Sequence, residues 1–230
     1  MDHYTIETKK WLDKRFRETT PEGYFYAHQN IYGYKSPLCE NEIILRYIIV
    51  YNVMRALKML SFRSLLDVGG AEGYMAAMVR KFHGADVRLC DLSNEACARA
   101  REIFNIDADP VDGTSLPYDD DSFDVVLSSE MLEHIPDYGS AFNELLRVAR
   151  KAVIVTVPCE PPEIVAENIR LKVPHGHIHA FSLDSFRERG SDDGIRVLSW
   201  GLHCFLFRGF YRLLKVGHCR WTGRLFSKNG

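Results

Sequence analysis

The sequence predicts an α/β chain built on a mostly parallel sheet, and three observations carry that prediction. Short β-branched or leucine-rich runs recur at 64–69 (SLLDVG), 86–91 (DVRLCD), 123–129 (FDVVLSS), 152–158 (AVIVTVP) and 195–200 (IRVLSW). Helical patterns separate them, and strands alternating with helices are the signature of right-handed βαβ units. The runs are nearly continuously apolar, as strands covered on both faces must be.

Residues 1–60 read as helix, aromatic-rich loop, helix. The apolar stretch from Ile43 to Leu60 is interrupted by Arg46, Asn52, Arg55 and Lys58, which makes it a buried or amphipathic helix and not a membrane span. Before it, GYFYAHQNIYGY (23–34) gathers Tyr24, Phe25, Tyr26, His28, Tyr32 and Tyr34. It reads first as the core of a folded-over cap and second as a surface for an aromatic ligand. Further on, the helix at 72–82 is expected to carry Met75, Met78, Val79 and Phe82 on one side, 94–104 is helical, and 138–150 lines up Phe142, Leu145, Leu146 and Ala149. The tail from about residue 202 has no acidic residue, and Arg208, Arg212 and Lys215 fall opposite Phe205, Leu206, Phe210 and Leu213. That is first a solvated basic face over an apolar stripe. Peripheral membrane contact through 202–216, or a lid over an anionic or lipid-like substrate, is the alternative. The last run, GRLFSK (223–228), can return as a closing strand.

Composition bounds the function. A chain of 230 residues with 46% hydrophobic and 26% charged residues has the means for one well-filled core and is neither disordered nor collagen-like. A formal charge of -2 provides no global polycation for phosphate neutralisation, so nucleic acid is not the expected partner. Cys39, Cys90, Cys97, Cys159, Cys204 and Cys219 contain no CxxC pair and read as reduced thiols. The N-terminus, MDHYTIETKK, lacks the apolar core of a secretory signal, and a cytoplasmic location is expected.

The chemistry begins at LLDVGGAEGYMAAMV, from Leu65 to Val79. A strand ends at Asp67, the chain turns through Gly69, Gly70 and Gly73, and a helix follows with free N–H groups at its start, which makes a ligand-binding turn at the carboxyl edge of the sheet. A dinucleotide loop would need G-x-G-x-x-G to seat a pyrophosphate. Here Glu72 would repel one, while Asp67 offers an acceptor to a cationic or amino group. That polarity suits an amino-acid-bearing cofactor with a sulfonium centre and disfavours an NAD-linked dehydrogenase.

This stretch resembles motif I of the class I S-adenosylmethionine-dependent methyltransferases, D/E-x-G-x-G-x-G, with Ala71 in place of the middle glycine. Asp91 closes the second strand, where the family's acidic residue accepts both ribose hydroxyls, followed by Leu92. The segment VDGTSLPYDDDSFDVVLSSEMLEHIPD (111–137) is similar to the family's adenine-side region and its L-P-F/Y, acidic-turn, F-D-V-V and L-x-H-x-x-D sequence. The resemblance spans about 62–200 and implies a Rossmann-like three-layer sandwich, with a mostly parallel seven-stranded sheet and an N-terminal helical cap. It also implies that Asp67, Gly69, Gly70, Gly73, Asp91, Leu92, Asp112, Gly113 and Ser129 bind the cofactor, with Asp112 and Gly113 lining the adenine and Ser129 and Glu130 near the methionine end. Taken singly, Asp67 could be a solvated strand end and Asp91 a helix cap; Asp119, Asp120 and Asp121 read as an exposed turn.

Methyl transfer from a sulfonium is an in-line displacement, so much of the rate comes from alignment in a dry pocket. A base is needed only for a protonated acceptor, and His134 is the candidate, alternatively packing locally. The spelling EMLEHIPD is similar to that of ubiquinone-pathway O-methyltransferases. Glu130, Glu133, His134 and, from PHGHIHAFSLDSF (174–186), His177 could hold a divalent cation, and E-x-x-E-H with a later His resembles the metal site of small-RNA 2′-O-methyltransferases. Against a metal, L-E-H is widespread in family members that use none. His177 and His179 alternate on an extended segment, and Ser182 is a candidate N-cap for the next helix. Pro158-Cys159 resembles the nucleophilic pair of cytosine-C5 enzymes but follows the fifth strand, so Cys159 reads as a loop thiol.

The expectation is therefore an N-terminal helical cap over 1–60, a methyltransferase core over 61–200 and a basic amphipathic tail over 201–230. The expected reaction is methylation of an oxygen, or in second place a nitrogen, of a small molecule of aromatic or amphiphilic character. The competing readings are a methyltransferase-fold protein that binds without catalysing, and a metal-dependent O-methyltransferase using Glu130, Glu133 and His134.

Overall fold

Three α-helices of this chain begin where a short acceptor side chain takes one of the first orphan N–H groups. A computed structural model describes residues 2–21, 23, 25, 40–158, 160–182, 185–186, 195–203 and 220–228, with only the backbone described at 40–45, 195–203 and 220–228. Asp2 accepts from Thr5 N–H and opens α1 (His3–Arg17); Ser93 accepts from Ala96 N–H and Asp137 from Ser140 N–H at the starts of two later helices. The described residues form two compact units, Met1–Pro117 and Tyr118–Gly230.

In the first unit, α1 and α2 (Glu40–Leu57) precede β1 (Ser64–Val68), α3 (Tyr74–His83), β2 (Asp86–Asp91), α4 (Asn94–Phe104) and β3 (Asp107–Pro110). The strands lie in the order β3-β2-β1 and pair parallel, Asp67 opposite Leu89 and Asp91 opposite Pro110. Leu65, Leu66, Leu89, Ala76, Val79, Ala96, Cys97 and Ala100 are fully buried, so β1 and β2 carry covered apolar runs against the small faces of α3 and α4. Phe82 departs from expectation: it is 63% exposed, because α3 turns its small residues Ala76 and Val79 to the core and leaves Phe82 off that stripe. Gly84 and Asn105 end α3 and α4 in the left-handed conformation that closes helices.

In the second unit, β4 (Phe123–Ser129), a single 3-10 turn (Leu132–His134), α5 (Tyr138–Val148), β5 (Ala149–Val157), α6 (Pro162–Leu171), β6 (Ile195–His203) and β7 (Arg220–Lys228) follow. Their order is β4-β5-β7-β6, with β4 and β5 parallel and β7 antiparallel to both its neighbours. The closing run returns as a strand longer than GRLFSK, and five strands are in parallel pairings while the last two are antiparallel. Phe142, Leu145 and Val148 bury one side of α5, and Ala149 has already entered β5, so the helix ends earlier than its pattern suggests. Asp119, Asp120 and Asp121 are exposed as expected, and Asp120 pairs with Arg147 at 2.9 Å.

Cys90 and Cys97 are buried free thiols; Cys39, Cys159, Cys204 and Cys219, most of the aromatic stretch at 23–34 and the tail segment 204–219 lie outside the described residues. Among the described residues no helix is long and apolar enough to cross a membrane.

Candidate functional site

The turn between β1 and α3 is organised by the end of β2. Gly69 N–H donates to the Cys90 carbonyl at 2.8 Å, and Gly73 N–H to the Gly70 carbonyl at 2.9 Å. Asp91 takes Ala71 N–H on Oδ2 at 3.0 Å and Ser93 N–H on Oδ1 at 2.8 Å. One carboxylate thus ties the glycine turn to the start of α4. Ala71 stands at φ 49°, the left-handed region, which is the physical reason a glycine suits this place in the motif. Holding an alanine there costs about 1 kcal/mol. Ala71→Gly is therefore expected to raise the urea unfolding midpoint, by up to ~1 kcal/mol in stability after the entropy of the more flexible unfolded chain is subtracted; a lower midpoint would contradict the strain.

Asp67 lies beneath this turn, 1% exposed, and does not sit as an open strand end. Burial foremost, and then the neighbouring Asp91 carboxylate, push its pKa up to about 7, eased by the Ala76 N–H. Burial likewise lifts Asp91 to about 6, with its two backbone donors opposing the rise. Both groups hold protons more tightly in the folded protein than in the unfolded chain, so their contribution to stability is complete below about pH 4 and is lost as pH rises through 6 and 7. His175, which burial lowers to about 4, acts oppositely over the acidic part of this range. The stability difference between Asp67→Asn and the parent isolates the carboxyl. We expect the variant's advantage to grow from pH 4 to 7 and level off above, to at most ~4 kcal/mol; a pH-independent difference in urea titrations would show that Asp67 is not the titrating group.

The other expected binding residues of this unit are also held. Lys9 of α1 donates to the Leu92 carbonyl at 2.8 Å and pairs with Asp13, whose Oδ1 accepts from Ser93 Oγ at 2.6 Å. The first helix is thereby pinned to the segment that follows Asp91. Phe25, from the aromatic stretch, lies 3.5 Å from the Arg99 guanidinium of α4. Asp112 forms a local turn, Oδ1 accepting from Thr114 N–H at 3.0 Å and Thr114 Oγ1 at 2.7 Å, with Gly113 between them. Lys9 and Asp13 carry no sequence signal, since an ion pair on a helix surface is ordinary until its partners 80 and 83 residues away are known.

In the second unit, Ser129 Oγ lies 2.7 Å from Thr156 Oγ1, which donates to Glu130 Oε1 at 2.9 Å. Glu130 sits at φ 58° at the end of β4, and its N–H is held by the Thr156 carbonyl. Its carboxylate is directed to β5 and stands apart from the other three metal candidates, contrary to the grouping expected from E-x-x-E-H. Glu133, His134 and His177 do converge: one ligand atom from each lies within 4.8 Å of the others. His134 is stacked on His175 at 3.7 Å and meets His177 edge-on at 4.8 Å. His179 goes elsewhere, its Nε2 on the Ile135 carbonyl at 2.8 Å and its ring against Tyr138. Ser182 N–H donates to Ser185 Oγ, and most of the helix expected after Ser182 lies outside the described residues.

A parallel α/β arrangement whose first strand runs into a glycine turn, tied to an acidic second-strand end, is a frame for a nucleoside-bearing ligand. Residues 66–157 match the family described as a methyltransferase domain. An uncharacterised methyltransferase of Mycobacterium sp. (strain KMS) is 33% identical over 105 residues, covering 38% of this chain and 35% of that protein. Norajmaline N-methyltransferase of Rauvolfia serpentina is 29% identical over 102 residues, covering 41% and 35%. The chain thus matches about a third of the length of these curated relatives. In fold it is similar to geranyl diphosphate C-methyltransferase from Streptomyces coelicolor A3(2), a structure in complex with Mg2+, geranyl-S-thiolodiphosphate and S-adenosyl-L-homocysteine. The TM-score is 0.72, with 12% identity and 99% of each chain covered. Over residues 66–157, then, the chain carries a methyltransferase domain.

Proposed function

We propose that this protein is an S-adenosylmethionine-dependent methyltransferase acting on an oxygen of a small molecule of aromatic or amphiphilic character. The observation that carries the reading is Asp91, a buried carboxylate whose two oxygens each accept one backbone N–H and so keep further lone pairs for vicinal hydroxyls. The donor set fits the proposed cofactor: Asp91 would hold the ribose, the turn Gly69 to Gly73 would give close backbone approach, and Asp112, with one oxygen committed to Thr114, would offer the other to the adenine amino group. The chemistry such a cofactor supplies is an electrophilic methyl group on a sulfonium. What the chain contributes is orientation and exclusion of water. Asp67 and Glu72, both buried beside the turn, disfavour a diphosphate there.

The assignment of Ser129 and Glu130 to the methionine end, the division at 1–60, 61–200 and 201–230, and the role of the N-terminal helices as a cap over the cofactor belong to the same proposal. Lys9 on the Leu92 carbonyl supports the last of these. The reading does not rest on His134 as base, since an amine or an ionised phenol needs none. Oxygen is preferred on the EMLEHIPD resemblance; nitrogen is the second reading, favoured by likeness to the Rauvolfia N-methyltransferase. Calorimetric titration with S-adenosylmethionine and S-adenosylhomocysteine tests the cofactor, with one site expected and no binding at millimolar concentration overturning it. Transfer of tritium from labelled cofactor into a cell extract separates an enzyme from a non-catalytic binder.

A further inference from the structure

Glu133 and His134 occupy the 3-10 turn after β4, and His177 lies far along the chain in the loop after α6. The fold brings them together through two bonds that zip the loop to the turn. Ile178 N–H donates to the Glu133 carbonyl at 2.9 Å, and His179 Nε2 meets the Ile135 carbonyl at 2.8 Å. His177, between them, is set beside Glu133 and His134.

We propose that Glu133, His134 and His177 form a binding site for a divalent first-row transition-metal ion, of which Zn2+ is the representative. This site lies wholly within the second unit and stands independently of the cofactor reading. Three features argue for it. The donor set is one carboxylate and two imidazoles, with ligand atoms within 4.8 Å of one another, a short approach from the spacing that metal bonds of about 2.0 to 2.2 Å require. Two imidazoles among three donors favour zinc and its neighbours over Mg2+ and Ca2+, which prefer all-oxygen shells. Glu133 is fully buried, with His134 Nε2 at 3.9 Å from its Oε1. A buried carboxylate beside imidazole lone pairs is a place where a cation is favourable.

The third feature is a second carboxylate beside a ligand. His177 Nδ1 lies 2.9 Å from Glu160 Oε2. The two atoms are close without hydrogen-bond alignment, so Glu160 acts as a nearby negative charge that favours a cation held by the His177 ring. His134 is braced in turn by the stacked ring of His175. An ion here would cross-link the turn after β4 to the loop after α6, so its binding should also stabilise the fold.

The test uses full-length protein without a histidine tag, stripped with EDTA and dialysed, then titrated with ZnCl2 and separately with MgCl2. We expect one equivalent of Zn2+ at micromolar Kd or tighter, a rise of several degrees in Tm with Zn2+ and none with Mg2+, and visible d–d absorption of low-coordinate Co2+ in the substituted protein. Glu133→Gln, isosteric with the carboxylate, and His177→Ala should each weaken Zn2+ by at least 100-fold. Glu160→Gln, which removes a negative charge 2.9 Å from His177, should weaken it by a smaller factor, about tenfold. If the folded parent binds no stoichiometric Zn2+, or binds it equally well after Glu133→Gln and His177→Ala, the site is refuted and the cluster is a proton-sharing carboxylate–imidazole group. Titration with S-adenosylmethionine in the same stripped protein reports on the cofactor reading separately.

Discussion

Gly70→Ala is expected to disable the cofactor turn while leaving every polar group of the proposed site in place. A Cβ at this position would stand 2.6 Å from Leu89 Cδ1 and 2.8 Å from both Cγ and Oδ2 of Asp67. Leu89 is fully buried and Asp67 nearly so, which leaves neither side chain an open direction in which to withdraw. Overpacking of this kind costs about 1 to 3 kcal/mol, and relief must come from shifting the turn that Gly69 and Gly73 close. We expect a Tm several degrees lower and S-adenosylmethionine affinity reduced by at least tenfold. Gly84→Ala is the informative contrast. Gly84 has φ +64° but nothing within 4 Å of an added Cβ, so it should lose stability by about 1 kcal/mol from backbone strain without loss of binding. Equal cofactor affinity in Gly70→Ala and the parent would mean that the turn does not approach the ligand.

Asp91→Ala should have the second large effect, for a different reason. It removes the acceptor of Ala71 N–H and Ser93 N–H together, and Ser93 is fully buried. Each donor left unsatisfied costs about 1 to 3 kcal/mol. Cofactor affinity should fall by ~1 to 3 kcal/mol, roughly 5- to 150-fold, from the lost ribose contacts. Calorimetry distinguishes this from simple unfolding if it is performed where circular dichroism shows the variant folded. An unchanged affinity in the folded variant would place the ribose elsewhere. Asp91→Asn is not a neutral replacement, since one side-chain NH2 must face a backbone N–H that now meets an acceptor.

Much of the frame was legible before any coordinates. The runs at 86–91 and 123–129 and the helix at 94–104 coincide with β2, β4 and α4, because each is a covered strand or a helix with a clear N-cap and a period that admits one reading. β3 was not read from the sequence: DADP is four residues long with one buried side chain, and it is a strand only because Arg88 to Asp91 of β2 offer it a ladder. Phe82 shows the limit in the other direction. A large apolar residue at helical spacing looks like core, yet here the small residues Ala76 and Val79 permit close helix packing and Phe82 is left outside.

The candidate site divides in the same way. Gly69 to Gly73, Asp91 and Asp112 are local features, each a chain turn or strand end whose geometry follows from neighbours a few residues away, so spacing alone could find them. Which oxygen of Asp91 meets which N–H, and that Ala71 is forced into the left-handed region, depends on β2 lying against β1 in its register. The separation of Glu130 from Glu133 and His134 is likewise beyond spacing. Three residues are one step along the motif, but a positive φ at Glu130 turns its carboxylate to Thr156 on β5. His177 reaches Glu133 and His134, and Glu160 reaches His177, only because the loop after α6 folds back on the turn after β4. Sequence periodicity and turn chemistry determined the alternation of strands and helices and the nucleoside-type turn, since these are short-range effects. Tertiary structure decided which distant side chains share one volume, because that depends on strand order and loop return, quantities on which local residue patterns exert almost no force.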